Sequence, residues 1–301
     1  MITFPASTVF IEGPDCSGKT SLINQIHRDT GYRWHIMDRS QISRKIFNSF
    51  YGREISNIDD SLHFEISNLN NLYFILLPDF SVIRGRFEKR GDEIHDLDSL
   101  HGVYRSFRKF SEFFRGCPNI STFSFHPGLE EFSKSVCSLI DFQEKMDLSD
   151  ISTCVEQFVR YKENEAYPVQ FMFYDDGKFE DASSASMSYE PELDYYEKIY
   201  STLHDKITKE LTGKNEYQRR ESEISRRFVY TDNSCISFIQ VAVREDIMDF
   251  HVVIRSSNVK DTFQHDLRFL YYLGSTCFKR FSSHCNKARF RFNLNSAHII
   301  L

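Results

Sequence analysis

The sequence contains no apolar run long enough to cross a bilayer: the longest lies around Leu72 to Leu77, far short of the ~20 residues a spanning helix needs. Met1 to Phe10 also lacks the basic start and long apolar core of a secretory leader. Positive charge is not in excess either, since 37 Lys and Arg stand against 43 Asp and Glu for a net charge of −6. That balance excludes a protein that coats nucleic acid or an anionic membrane through bulk charge, so any anion must be held by a local site. Paired cysteines are missing as well. The seven, at 16, 117, 137, 154, 235, 277 and 285, are odd in number and include no CxxC. Free thiols in a reducing compartment are expected, with neither a disulfide framework nor a zinc knuckle. Together these absences point to the cytoplasm, the host's if the source is viral, with no membrane partner.

What is present suffices for two domains. The 301 residues are 41% hydrophobic and include 29 Phe but a single Trp, enough for each of two ~150-residue halves to bury a core. Ser7 to Ile11 reads as a strand, Glu12 to Ser17 as a turn, and Thr20 to His27 as a helix with Leu22, Ile23 and Ile26 at helical spacing. Further strands are expected at Tyr32 to Met37, Leu72 to Leu77 and Asn119 to Phe125. Helices are expected from Asp79 to Lys89 and through Phe132, Val136 and Ile140. This alternation predicts a parallel sheet covered by helices. Residues 145 to 165 read as charged helix, Val169 to Tyr174 as a strand, and Asp176 to Glu190 as a loop. Beyond it come a helix from Leu193 to Leu211, strands at Phe228 to Tyr230, Cys235 to Val243 and Phe250 to Arg255, a helix from Asp261 to Phe281, and strands near Phe290 to Leu301. Phe107, Phe110, Phe113 and Phe114 fall at core spacing. Lys287, Arg289 and Arg291 alternate along a strand, as an anion-binding face or a solvated edge would require.

The densest signal is Gly13-Pro14-Asp15-Cys16-Ser17-Gly18-Lys19-Thr20, which satisfies GxxxxGK[ST] between a strand and a helix. Gly13 and Gly18 let the backbone N–H groups of the loop, including those of Asp15, Cys16 and Ser17, curl inward on phosphate oxygens. Lys19 can bridge the outer phosphates, and the Thr20 hydroxyl can ligate Mg2+. ATP is the natural ligand. Glu12 to Thr20 resembles the phosphate loop of thymidylate kinases and related deoxynucleoside monophosphate kinases, with a looser likeness over residues 1 to 145. The resemblance implies that Asp38-Arg39 grips the acceptor monophosphate, that Asp15 reaches its sugar, and that Arg84, Arg86 and Arg90 belong to an arginine-bearing lid. The segment between Lys19 and Arg39 is shorter than that family's usual helix and loop, so the acceptor pocket is expected to differ.

Residues 190 to 301 resemble the thymidylate synthase and deoxycytidylate hydroxymethylase family. Ser225-Arg226-Arg227, Cys235, Arg255-Ser256, Asp266 and the ending Ser296-Ala297-His298-Ile299-Ile300 carry the likeness. By that resemblance Cys235 would add to pyrimidine C6 while Arg226, Arg227, Arg255 and Ser256 hold the 5′-phosphate. Asp266, where uracil enzymes carry Asn, would accept from the cytosine amine, and His298 would complete the nucleotide site. Ser234, Ile236, Asn258, Thr262 and Ile300 depart from the pattern. The catalytic glutamate and the folate-docking segment have no match, so folate is not expected.

The expectation is thus an α/β protein: a P-loop kinase domain with a parallel sheet (1–145), a linker region (146–189), and a truncated α+β domain of thymidylate synthase type (190–301). The implied activity is ATP and Mg2+-dependent phosphorylation of a pyrimidine deoxynucleotide, as a mononucleotide or in DNA. Such a pairing of domains resembles the modified-base metabolism of bacteriophages, with a hydroxymethylated pyrimidine as a candidate acceptor. Lys19, Arg39, Arg86 and Arg90 would act in transfer. The alternatives are a C5 one-carbon transferase working through Cys235, and a non-catalytic nucleotide-binding or dimerising second domain. A homodimer through that domain is expected.

Overall fold

The computed structural model describes residues 1–54, 56–90, 96–124, 128–212 and 224–300, apart from the side chains of 209–212 and 224–227. The chain forms two compact units, one of Ala6–Glu144 and one of Met1–Pro5 with Lys145–Leu301. Strand β1 (Ile2–Thr3) thus precedes the first unit in sequence but belongs to the second. Within Ala6–Glu144 run β2 (Thr8–Glu12), α1 (Lys19–Thr30), β3 (Ile36–Asp38), α2 (Gln41–Phe50), α3 (Ile58–Ile66), β4 (Asn71–Leu76), α4 (Phe80–Arg90), α5 (Leu97–Phe113), β5 (Ile120–Phe123) and α6 (Leu129–Glu144). The four strands form one parallel sheet in the order β3-β2-β4-β5. β4 is buried along its whole length, as expected for a strand covered on both faces. One core joins Val9, Ile11, Phe74 and Leu76 of the sheet to Leu22 and Ile26 of α1 and to Phe132, Val136 and Ile140 of α6.

The second unit continues with α7 (Leu148–Tyr161), β6 (Glu165–Ala166), β7 (Val169–Asp175), α8 (Leu193–Thr212), β8 (Ile224–Thr231), β9 (Ile236–Arg244), β10 (Ile247–Ile254), β11 (Ser257–Asn258), α9 (Phe263–Phe281), β12 (Lys287–Leu294) and β13 (Ala297–His298). Its main sheet has the order β1-β7-β12-β10-β9-β8, in which β10 and β12 are parallel and the other neighbours antiparallel. β11, β13 and β6 make a small second sheet. Strict alternation in β7, β10 and β12 buries one face of each strand, and rings fill it: Phe173 stacks on Phe290 at 4.9 Å and Phe171 on Phe292 at 4.8 Å. α9 lies close because residue 274 is glycine. A Cβ there would meet the Phe290 ring at 2.3 Å.

The architecture is mixed α/β with a parallel sheet, as the alternation of strands and helices implies. The extended segment expected at Tyr32 to Met37 is strand only from Ile36, because Gly31 and Tyr32 turn with positive φ and the Trp34 indole turns inward to donate to Glu144 at 2.8 Å. Residues 146–189, grouped above as a linker region, hold the expected helix and strand as α7 and β7, with β6 between them, and β7 lies between β1 and β12 in the main sheet. Asp147 caps α7 through a reciprocal pair with Asp150, a start signal hidden in a charged stretch. Phe113 is 71% exposed rather than packed in the core. β12 is an interior strand, so Lys287, Arg289 and Arg291 lie on a sheet face and not along an edge. No described helix is long and apolar enough to cross a membrane.

Candidate active site

β2 ends at Glu12, and the chain there must reverse into α1 around an open ring of backbone. Gly13 makes the first turn at φ 138°, where a Cβ would stand 2.5 Å from the Leu76 carbonyl oxygen. Gly18 makes the last turn at φ 104° and serves as N-cap of α1. Both positions demand glycine for backbone reasons. The Lys19 ammonium folds back into the loop and donates to the carbonyls of Gly13 and Pro14, each at 2.9 Å. Burial pushes its pKa down, against the pull of Asp15 and Asp38. From α4, Arg86 donates to the carbonyls of Cys16 at 3.1 Å and Ser17 at 2.8 Å, so it braces the loop from the lid side. The Ser17 hydroxyl is buried and has no hydrogen-bond partner among the described residues.

A cleft of about 820 Å3 opens over this loop, lined by Asp15, Cys16, Ser17, Gly18, Lys19, Thr20, Asp38, Arg39, Arg86 and Arg90. Every phosphate-loop and lid residue singled out above lines it except Gly13 and Pro14, whose carbonyls hold Lys19, and Arg84, which pairs with Glu88 at 3.8 Å. Arg39 is held at φ 74°, its N–H donates to the Ile11 carbonyl at 3.1 Å, and its guanidinium pairs with Asp15. That pair borders a second cleft of about 680 Å3, which also takes in Ser40, Ser43, Arg44, Phe47, Asn48, Tyr51, Arg53 and Arg90.

The second cleft rests on α2. Ser40 caps the helix, accepting from Ile42 N–H at 3.0 Å. The buried Glu12 carboxylate accepts from the Ser40 N–H and the Ser43 hydroxyl, while Glu65 accepts from Gln41 N–H at 3.2 Å. Burial pushes both carboxyls above their usual range. At the far end Gly52 (φ 64°) lets Arg53 N–H reach back to the Asn48 carbonyl at 2.8 Å, a Schellman closure. The Arg53 guanidinium then lies over Tyr51 at 5.2 Å, and that of Arg39 over Phe47 at 4.7 Å. Reading the sequence missed this helix and its cleft. Its signal was available in Ser40, Ser43, Arg44, Phe47, Asn48 and Tyr51, whose spacing of three and four residues puts them on one face.

The second candidate set is more scattered. Cys235 is exposed in the bend just before β9, and its carbonyl accepts from Arg255 N–H at 2.8 Å. Burial raises its thiol pKa, reinforced by the charges of Asp266 and Glu192 and opposed by Arg255; an activated thiolate has the reverse environment. Asp266 is 5% exposed and accepts from the Tyr196 hydroxyl at 2.8 Å. Ser256 is partly exposed, and His298 lies in the small sheet opposite Asn258 and Glu165. Arg226 and Arg227 lie in β8, with side chains outside the described residues. On the open face of the main sheet, Arg289 makes two 2.5 Å hydrogen bonds to Asp249, and the Lys287 ammonium sits 4.0 Å from the Tyr174 ring centre.

No family model matches this chain, and no curated protein sequence does. Among solved structures it is similar to the YorR protein from Bacillus subtilis in complex with phosphorylated GDP, at 17% identity and a TM-score of 0.35, over 46% of this chain and 99% of that one. A likeness that slight assigns no activity.

Proposed function

We propose that the unit of residues 6–144 transfers the γ-phosphoryl group of ATP to a pyrimidine deoxynucleotide, with a hydroxymethylated pyrimidine, free or in DNA, among its acceptors. The observation that carries this reading is the pair of adjoining clefts that share Asp15, Arg39 and Arg90. One is a glycine-turned cradle with a buried lysine; the other holds arginines beside aromatic rings. Phosphoryl transfer needs two anions held end to end with their charge neutralised, and little else from the protein. The P–O bond to ADP breaks as a P–O bond to the acceptor oxygen forms, and ADP leaves. The cradle fits a triphosphate, since Gly13 and Gly18 curl the loop at positive φ and the buried Ser17 hydroxyl has no hydrogen-bond partner among the described residues. Thr20 would ligate Mg2+, which when bound supplies positive charge across the phosphates. Lys19, Arg39 and Arg90 supply the remaining charge, and Arg86 shapes the loop.

Incubation with labelled ATP and a panel of deoxynucleoside monophosphates, modified monophosphates and DNA tests the assignment. No transfer to any of them would refute it. Arg39→Ala is expected to weaken acceptor binding roughly tenfold to a hundredfold, the size of one charge-assisted contact, with ATP binding little changed. Titration calorimetry with each ligand checks this, and equal losses for both would place Arg39 in the donor site instead.

For the second unit the reading is a dimerising module rather than a one-carbon transferase, since its cysteine sits where a thiolate is disfavoured. Support comes from the half-exposed sheet face, where Asn293 Oδ1 is buried with no hydrogen-bond partner among the described residues and Arg291 Nε reaches Asp249 as an ion pair at 3.5 Å. Sedimentation velocity is expected to show a dimer that Arg291→Glu shifts toward monomer. A monomer at all concentrations would exclude it.

A further inference from the structure

Four arginines but a single carboxylate border the α2 cleft, and that carboxylate, Asp15, is already paired with Arg39. The other three, Arg44, Arg53 and Arg90, are exposed and make no ion pair among the described residues. Cations elsewhere on this unit are treated differently. Lys45, next to Arg44 in sequence but outside the cleft, pairs with Asp59, and Arg108 pairs with Glu112 at 3.6 Å. Like charges gathered on one concave surface repel one another until an anion enters. Rings rather than further carboxylates set two of the guanidiniums in place. Arg39 lies over Phe47 and Arg53 over Tyr51, and the two rings, one helical turn apart, stand nearly parallel with centroids 6.5 Å apart. A ring braces a guanidinium without neutralising it. The cleft thus repeats one unit, a charged fork on an aromatic ring, at its donor end and at its far end. The helix that carries both is held against α5, where Gly102 leaves room for the Phe50 ring.

A mononucleotide would use only half of this arrangement. Its phosphate, matched by Arg39 and Arg90 beside the donor cradle, leaves Arg44 and Arg53 facing no anion. We propose, resting on the kinase reading above, that the α2 cleft takes a nucleotide within a single-stranded chain, one phosphate at Arg39 and Arg90 and the next along the strand at Arg44 and Arg53. A nucleotide whose 5′-phosphate lies at Arg39 is joined to the rest of a strand through its 3′ oxygen, and that oxygen carries the second phosphate. The 6.5 Å step between the rings is about twice the ~3.4 Å rise per nucleotide of a stacked strand. It suits a strand drawn out of its stack, with bases set against side-chain rings as in sequence-tolerant single-strand binding. Among the acceptors named above, this selects the strand over the free monomer.

Titration calorimetry on the intact chain compares dTMP, thymidine 3′,5′-bisphosphate and a 5′-phosphorylated tetranucleotide of dT. Wild type is expected to bind the tetranucleotide about tenfold or more tightly than dTMP, the scale of one added charge-assisted contact, and more tightly than the bisphosphate. The double variant Arg44→Ala with Arg53→Ala is expected to erase that gain. It should also flatten the dependence of log affinity on log salt for the tetranucleotide by about 1.4, the loss of two phosphate contacts on a single strand, a change that a structural role would not produce. The double variant Arg44→Lys with Arg53→Lys keeps the charge and is expected to keep the salt slope, so the comparison survives if the alanine variant fails to fold. No gain for the tetranucleotide over dTMP, or a gain and a salt slope that the alanine variant leaves unchanged, would overturn the proposal while phosphorylation of dTMP still upheld the kinase reading. Equal or tighter binding of the bisphosphate would make the ligand a free bisphosphorylated nucleotide and overturn the strand. Failure of all three to bind, together with no transfer from ATP, would remove the kinase reading and this proposal with it.

Discussion

Lys19→Ala is expected to lower phosphoryl transfer by about a thousandfold or more, on the scale seen when one charge-stabilising group is removed from a transferring centre, while the protein stays folded. Lys19 is 6% exposed, its pKa is lowered by burial, and among the described residues its ammonium donates to two carbonyls of its own loop. Removing a desolvated charge whose protein partners are two loop carbonyls should cost the fold little. In the resting structure those carbonyls hold the ammonium inside the loop, ready to exchange them for phosphate oxygens. Turnover with ATP and each acceptor, read beside thermal unfolding, separates the two effects. Unchanged turnover would refute the kinase assignment; a collapsed fold in both Lys19→Ala and Lys19→Met would make the lysine a structural residue.

The second large effect concerns Asp266 and has the opposite sign to the usual behaviour of a carboxylate. Burial pushes its pKa from the ordinary 3.8 up to about 7, with the Tyr196 hydroxyl pulling the other way. Because the folded state holds this proton more tightly than the unfolded chain, the resulting stability is fully present below about pH 4 and is lost as pH rises through about 7. Asp266→Asn removes the titration. It should match wild type near pH 4 and exceed it at pH 8 by a few kcal/mol. Melting temperatures of the two proteins from pH 4 to 8 check this, and parallel curves would show that Asp266 is not the group responsible. The same burial bears on its expected role in reading a pyrimidine, since Tyr196 stacks on Phe269 at 4.2 Å and occupies the carboxylate with its hydroxyl.

The phosphate loop was legible because its chemistry is local: eight consecutive residues set both the glycine turns and the lysine. β4 and α9 were legible for a related reason, as uninterrupted apolar or helical runs leave few alternatives. The acceptor cleft was not, because what makes α2 a wall is distant in sequence. Glu12 and Glu65 hold its start and Gly102 admits Phe50, and none of these is visible from residues 40 to 51 alone. The role of Arg86 was hidden likewise. Its partners are carbonyls of Cys16 and Ser17, some seventy positions away, and backbone atoms leave no mark in a sequence.

The pairing of β1 with β7 sets an order of events during synthesis. Ile2 lies opposite Asp175, so when β1 leaves the ribosome its partner is still untranslated, and at typical elongation rates it waits roughly 10–30 s. During that interval all of residues 6–144 emerges, a unit whose four described strands pair only with one another. The nascent chain therefore carries a finished phosphate-loop unit with an unpaired two-residue strand ahead of it. A fragment begun at Lys145 would have the complementary defect, baring the Tyr174–Asp175 end of β7 to pairing with other chains.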